Sequence, residues 1–360
     1  MGGVDETVAQ ASARAMRLDA WDELVPLPGG RGGASLATAG GASYVVKRYP
    51  SGDPTGGARE RAALHALAGA AGTPELLAEA DEPALVVMSH VAGSGSLADA
   101  LLGVDPAAAE DALLQWAEAL AHLHAAGTAR VRTAFTDRLA ERAPALAPRS
   151  LTSDFAGAAE RYVAVLDELG LSPHRRALDD LRGLPTRLAD ARDEVLTPAD
   201  TCPDNNVLTA DGLSLIDFEH AELRHRAWDV AYLRAPWPSC WCAWRLPADV
   251  AERAVDRYRM ASGPAADAPG FDADLALATL GWQAMTPAWF LAGALEGDDR
   301  DRGSRGPTRR AFVLHRLAAV ASTDALPAVG EMAADLHAEL VRRWGEVALE
   351  VAPAFRSDLR

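Results

Sequence analysis

Thr197-Pro198-Ala199-Asp200-Thr201-Cys202-Pro203-Asp204-Asn205-Asn206-Val207-Leu208, followed a few residues later by Leu215-Ile216-Asp217-Phe218-Glu219, is the stretch on which the reading of this chain turns. Asp200 is followed five positions on by Asn205. Val207-Leu208, a turn at Asp211-Gly212 and residues 213–216 predict a β-hairpin. Such a hairpin returns Asp217 beside Asn205. An Asn and an Asp brought together offer hard oxygen ligands for Mg²⁺. A second carboxylate, Asp200, can accept the proton of an attacking hydroxyl.

Outward from this stretch the texture divides in two. Residues 1–20 read as a polar, alanine-rich lead-in helix. Residues 21–26 are a short apolar run, and Pro28-Gly29-Gly30-Arg31-Gly32-Gly33 follows. Residues 34–38, the turn Ala39-Gly40-Gly41 and residues 43–49 predict a hairpin or meander. Residues 57–70 carry a helical pattern, and 84–88 form a continuous apolar run of the kind a buried strand shows. Ala92-Gly93-Ser94-Gly95-Ser96 reads as a flexible connector. Beyond it helices dominate. Leu113, Trp116, Leu120 and Leu123 fall on one helical face, and two further helices are expected within 151–193, broken at 170–173 and near Pro185. Helices resume from Pro247, with 296–305 as an exposed loop.

The segments around Asp200 and Asp217 resemble the catalytic loop and metal-binding segment of the aminoglycoside phosphotransferase and choline kinase-like family. That family has an α+β, protein-kinase-like fold of two lobes, the small N-terminal one rich in β-strands and the larger mostly helical. The resemblance implies a nucleotide-binding lobe over residues 1–92 and a catalytic and acceptor-binding lobe over 93–360. It implies a Mg²⁺-dependent phosphotransferase that moves the γ-phosphate of ATP, or of GTP, to a small-molecule hydroxyl. By this likeness Asp200 is the catalytic base, and Asn205 and Asp217 hold the metal. Tyr44-Val45-Val46-Lys47-Arg48-Tyr49 resembles the strand with the phosphate-anchoring lysine, Lys47, and Glu60 its ion-pair partner. Val87-Met88-Ser89-His90-Val91-Ala92-Gly93 resembles the hinge, where the Ser89 carbonyl and Val91 amide would meet the adenine edge. Residues 118–124 resemble the helix beneath the catalytic loop, and Asp229 the aspartate that braces that loop through backbone amides. The sequence departs at Pro198, where the family has a His that orients the loop. This leaves a catalytically weakened, nucleotide-binding module as the alternative. A protein kinase fits less well, since no glycine follows Phe218 and no Ala-Pro-Glu closes an activation segment.

Some features read two ways. The 29–33 glycines suit a phosphate cradle or a plain turn. Asp204 and Asn206 flank the metal position and equally suit turn capping. Glu219, Glu222, Asp249, Glu252 and Asp256 could hold ammonium groups of an aminoglycoside, amino sugar or other cationic acceptor, although helix carboxylates are usually just solvated. Trp228, Trp237, Trp241, Trp244, Trp282 and Trp289 could wall an acceptor site, although such residues more often fill a core.

The formal charge of −16, from 35 Lys plus Arg against 51 Asp plus Glu, repels nucleic acids and anionic membranes and attracts cations. The three cysteines, Cys202, Cys240 and Cys242, show no metal-ligand or redox spacing along the chain. Cys202 reads as an inert buried thiol. No leader segment and no membrane-spanning run is visible, so a reducing cytoplasm is expected.

Overall fold

The computed structural model describes residues 6–27, 33–50, 54–149, 151–172, 174–189, 193–237, 240–263, 270–297 and 305–356. The chain opens with α1 (Glu6–Ala15), then β1 (Glu23–Pro26), β2 (Ala34–Ala39), β3 (Ala42–Arg48), α2 (Pro54–Ala66), β4 (Leu76–Asp81) and β5 (Ala84–Ser89). The strands form one antiparallel sheet in the order β1-β2-β3-β5-β4. Gly40 and Gly41 close the β2–β3 hairpin with φ of 58° and 79°, a left-handed pair that glycine adopts without steric cost.

The apolar run in β5 is buried on both faces. Leu85 and Val87 pack with Val8, Ala37 and Val46 beneath α1, while Val86 and Met88 join Ala62, Leu64 and Leu67 of the α2 side. The lead-in helix therefore covers one face of the sheet, and α2 covers the other. Helix α2 also docks on α5 (Ala129–Arg142), so the small lobe joins the main core through the element that carries Glu60.

The rest is mostly helical: α3 (Leu97–Leu102), α4 (Pro106–Ala126), α5, α6 (Leu151–Leu169) and α7 (Arg175–Arg187) precede the site. Next come β6 (Glu194–Thr197), the hairpin β7 (Asn206–Thr209) and β8 (Gly212–Leu215), β9 (Glu222–His225) and the short α8 (Ala227–Val230). Helices α9 (Ala248–Ser262), α10 (Phe271–Met285), α11 (Pro287–Glu296), α12 (Arg309–Ala321) and α13 (Pro327–Trp344) close the chain. No helix among the described residues is long and apolar enough to cross a membrane.

Two local expectations change. Helix α7 runs through Pro185 and stops at its C-cap, Leu188. Proline removes only one amide bond there, and its helix ends within a turn, so the kink expected of an interior proline has nothing to break. The glycine-rich connector is also not free-standing. Ser94 N donates to Leu208 O at 2.9 Å and Leu208 N donates to Gly95 O at 2.8 Å, which lays the connector along β7. Gly93 permits this approach: a Cβ there would lie 2.3 Å from Leu208 O and 2.3 Å from Val207 Cγ1. Gly93→Ala should therefore cost about 1–3 kcal/mol through overpacking, read as a lower urea midpoint. An unchanged midpoint would mean that the connector can lift off β7 at no cost.

Candidate active site

The hairpin β7–β8 sets the site's register. Asn206 pairs with Leu215 and Thr209 with Gly212, so the two turn residues are Ala210 and Asp211, one position earlier than the sequence reading. Just outside the ladder, Ile216 N donates to Asn205 O at 3.0 Å. This bond fixes Asn205 against the backbone that leads into Asp217. The Asn205 side chain donates through Nδ2 to the Asp200 carbonyl at 2.9 Å, and its Oδ1 accepts no hydrogen bond among the described residues. Asn206 is structural: buried at 2% exposure, it accepts from Leu97 N and donates to the Cys202 and Pro203 carbonyls.

Lys47, on β3, reaches across to this loop. Its Nζ lies 2.7 Å from Glu60 Oε2 on α2, 2.5 Å from Asp217 Oδ1 and 3.1 Å from Glu219 Oε2. Burial alone would lower the Lys47 pKa, but Glu60, Asp217 and Glu219 outweigh it and hold the ammonium above the ordinary lysine range. Glu60 has a second task, since its Oε1 accepts from Phe218 N at 3.0 Å and so positions the residue next to Asp217. Tyr49 OH also donates to Glu60. Asp217 itself sits at φ 67°. That left-handed backbone is unusual outside glycine, and such residues gather at functional sites where the surroundings impose them.

The sequence reading missed Glu219 as a partner of Lys47. The signal was present, because Glu219 stands where protein kinases keep a glycine. Carboxylate oxygens of Glu60, Asp217 and Glu219 all lie within 4.8 Å of one another.

Asp200 follows β6, half-buried, with Cys202 Sγ donating to its Oδ1 at 3.0 Å. Ala199, just before it, has φ 63°. The carbonyl of Ala199 accepts from Arg224 Nη2 and from Tyr232 OH, each at 3.1 Å. Arg224 is paired with the fully buried Asp229, which also meets His124 Nε2 at 2.9 Å and the Thr197 hydroxyl. Asp229 thus braces the loop through side chains, chiefly Arg224, where backbone amides were expected. Pro198 is buried in the turn, and the Arg224–Tyr232 pair holds the loop that a His was expected to orient.

Ser89 ends β5, its amide donating to Glu75 O at 2.9 Å and its hydroxyl accepting from Glu75 N at 2.8 Å. Val91, just beyond, is half-buried, and its amide has no partner among the described residues. The proposed glycine cradle at 29–33 lies outside the described residues except for Gly33, whose carbonyl accepts from Arg48 N at 2.7 Å.

The acidic helix residues are paired with arginines: Asp249 with Arg253 at 3.0 Å, Glu252 with Arg234 at 2.7 Å, Asp256 with Arg259 at 3.7 Å. Glu222 is buried beside Arg224 at 3.3 Å. The tryptophans are mostly core. Trp228, Trp237, Trp244 and Trp282 are buried, with edge-on contacts such as Trp228–Trp282 at 5.5 Å. Trp241 and Trp289 are half-buried, and Trp241 donates through Nε1 to Asp204 Oδ2 at 2.8 Å.

Comparison with known proteins gives the same architecture. The profile of the family described as APH, phosphotransferase enzyme family, matches residues 23–271. A choline/ethanolamine kinase family protein from Mesorhizobium loti superposes with a TM-score of 0.55 at 16% identity, covering 91% of this chain and 98% of that one. The choline kinase LicA from Streptococcus pneumoniae gives 0.51 at 15%, covering 89% and 96%. The streptomycin-ATP-APH(2")-IIa ternary complex gives 0.53 at 16%, covering 82% and 94%. At these identities the likeness speaks to the fold. A search of curated proteins finds no match.

Burial would raise the Asp229 pKa, but Arg224 and the His124 hydrogen bond outweigh it and hold it at about 2. Its folded pKa is below its unfolded one, so its contribution is complete above about pH 4 and fades as pH falls toward 2. Asp229→Asn should lower stability by up to about 3–5 kcal/mol at neutral pH, since it leaves the buried Arg224 charge with Glu222, at 3.3 Å, as its carboxylate partner. It should also flatten the acid limb of a plot of denaturant midpoint against pH. An acid limb of unchanged steepness would assign the linkage to other carboxylates.

Proposed function

Because the chain belongs to the APH phosphotransferase enzyme family, we propose that it moves the γ-phosphate of ATP, or of GTP, to the hydroxyl of a small molecule with Mg²⁺ as cofactor. One observation carries this reading. Lys47, Glu60 and Asp217 come from three separate elements and meet at 2.5–2.7 Å, beside the loop that presents Asp200 and Asn205. Separately, each of these is an ordinary strand lysine or surface acid. Together with Glu219 they set one ammonium against three carboxylates, a net-negative site that suits a cation and the anion it carries.

The donor set fits a hard cation. Asn205 Oδ1 and the Asp217 carboxylate would hold the ion, and the Glu219 carboxylate lies within 4.8 Å of that of Asp217. When bound, Mg²⁺ neutralises charge on the triphosphate. The protein's own groups do the rest by placement, which is most of what phosphoryl transfer requires. Lys47 gives up part of its contact with Asp217 and Glu219 to the α- and β-phosphate oxygens, while Glu60 keeps it aimed. The Ser89 carbonyl and Val91 amide meet the adenine edge. Asp200, held by the Ala199 and Asn205 contacts on either side of it, orients the acceptor hydroxyl and takes its proton.

Pro198 is the motive for the alternative, a catalytically weakened binding module. The Arg224 and Tyr232 bonds to the Ala199 carbonyl favour the enzyme, because the loop is held without the histidine. A protein kinase is disfavoured by the step from Asp217 to β9, which starts at Glu222 and pairs at once with β6. The acceptor is a small-molecule alcohol. A cationic one, an aminoglycoside, amino sugar or choline-like compound, suits the net charge of −16, while the arginine-paired helix carboxylates add nothing to that choice.

The test is nucleotide turnover with Mg²⁺ against a panel of such acceptors. Acceptor-dependent release of ADP or GDP is expected, lost in Asp217→Ala. Asp200→Ala should lower turnover ~10²–10⁴-fold while nucleotide still binds. Nucleotide binding with no phosphorylated acceptor would support the binding module. No nucleotide binding in the presence of Mg²⁺ would overturn the assignment of the site.

A further inference from the structure

The three cysteines lie apart in sequence, yet the fold gathers them. Cys202 comes from the loop that carries Asp200, and Cys240 and Cys242 from the segment after the 3-10 turn Ala231–Leu233, all three buried. Cys240 Sγ and Cys242 Sγ are 2.7 Å apart. Sγ of Cys202, Sγ of Cys240 and a carboxylate oxygen of Asp204 lie within 4.8 Å of one another. The lack of a metal-ligand spacing along the chain was therefore uninformative, because the donors arrive from two segments.

We propose that Cys202, Cys240, Cys242 and Asp204 form a binding site for a thiophilic divalent cation, with Zn²⁺ the best match. Three sulfurs and one carboxylate oxygen are the donor types and the number that a closed tetrahedral zinc site takes; Cys202, Cys240 and Asp204 already converge, and Cys242, whose sulfur is 2.7 Å from that of Cys240, supplies the fourth donor by turning toward them. Zn–S bonds of about 2.3 Å at tetrahedral angles set ligand atoms about 3–4 Å apart. Cys240 Sγ to Asp204 Oδ1 is 3.8 Å, already in that range. The Cys240–Cys242 pair, at 2.7 Å, needs to open by about 1 Å.

The carboxylate is also oriented for the task. Trp241 Nε1 holds Asp204 Oδ2 at 2.8 Å, which turns Oδ1 toward the sulfur of Cys240. A hydrogen bond on the far oxygen of a ligating carboxylate is a usual outer support of a metal site. A disulfide between Cys240 and Cys242 is the competing explanation. It joins Cys240 to Cys242 alone and gives no reason for Cys202 and Asp204 to converge on Cys240.

Binding exchanges thiol protons for the metal and involves no change of oxidation state. It would tie the loop that carries Asp200 to the 240–242 segment. It would also take up the Cys202 sulfur that now donates to Asp200 Oδ1. The inference does not depend on the phosphotransferase reading, and its test reads metal directly.

The reduced full-length protein would be titrated with Co²⁺, and with Zn²⁺ against a colorimetric chelator. One equivalent of Co²⁺ should produce thiolate-to-metal charge-transfer absorption with the intense d–d bands of tetrahedral cobalt, and Zn²⁺ should bleach both. Cys240→Ser should abolish the charge-transfer band. Trp241→Phe, a mild change that removes only the support of Asp204, should weaken Zn²⁺ binding about 10–100-fold with an unchanged circular dichroism spectrum. Free reaction of all three thiols with a thiol reagent in the presence of Zn²⁺ would overturn the proposal. So would an intact mass showing a Cys240–Cys242 disulfide in protein that takes up no metal after reduction.

Discussion

A single buried ion pair, Arg224 with Asp229, fixes the loop on which the site depends. Both partners are all but excluded from solvent, so neither charge can be left alone without a large penalty. The pair is satisfied only when four pieces of chain are in place: β9 bringing Arg224, α8 bringing Asp229, α4 bringing His124, and the end of β6 bringing Thr197. The same guanidinium nitrogen, Nη2, also donates to the Ala199 carbonyl. The left-handed backbone at Ala199, and with it the direction of Asp200, is imposed by this arrangement. A loop that is strained locally is held by electrostatics that are strong because they are dry.

The small lobe meets this loop through charge as well. One ammonium, on Lys47, faces three carboxylates, two of them on the segment after β8 and one on α2. Glu60 is the hinge of that arrangement, because it holds the lysine with one oxygen and the Phe218 amide with the other. The α2 helix reaches its place by apolar packing on the sheet and on α5. Core packing thus sets the distance at which the charges meet, and the charges set the direction of Asp217.

The elements legible in the sequence were those whose period or turn chemistry is local. Gly40-Gly41 announced a hairpin, the 84–88 run a strand buried on both faces, and the leucines of 113–124 the inner face of α4. The Asp200, Asn205 and Asp217 spacing was readable because a two-stranded hairpin lies between the last two, and a hairpin is a local object. Lys47 and Glu60 were placed by likeness alone, since nothing in a strand lysine shows what it faces. What could not be read was convergence between distant segments. The arginine that replaces the expected histidine stands twenty-odd residues beyond the loop it serves. The three thiols show nothing on linear spacing, and the tryptophans from Trp228 to Trp289 read either as a ligand wall or as core, when most of them are core. Glu219 reads from the sequence as either an acceptor-binding or a solvated carboxylate, because its side chain's partner, Lys47, sits on β3, far away in sequence.

The short step from Asp217 to β9 has a consequence of its own. A conformational switch needs a segment with two arrangements of comparable free energy, so that a modification or an effector can tip the balance. Between Phe218 and Glu222 the chain has no slack for a second arrangement. Phe218 is fully buried, Ala221 N is bonded to Phe218 O, and Glu222 is already in register with Thr197. Folding alone therefore places this stretch: burial of Phe218 and the pairing of Glu222 with Thr197 set the path out of Asp217 without a separate ordering step.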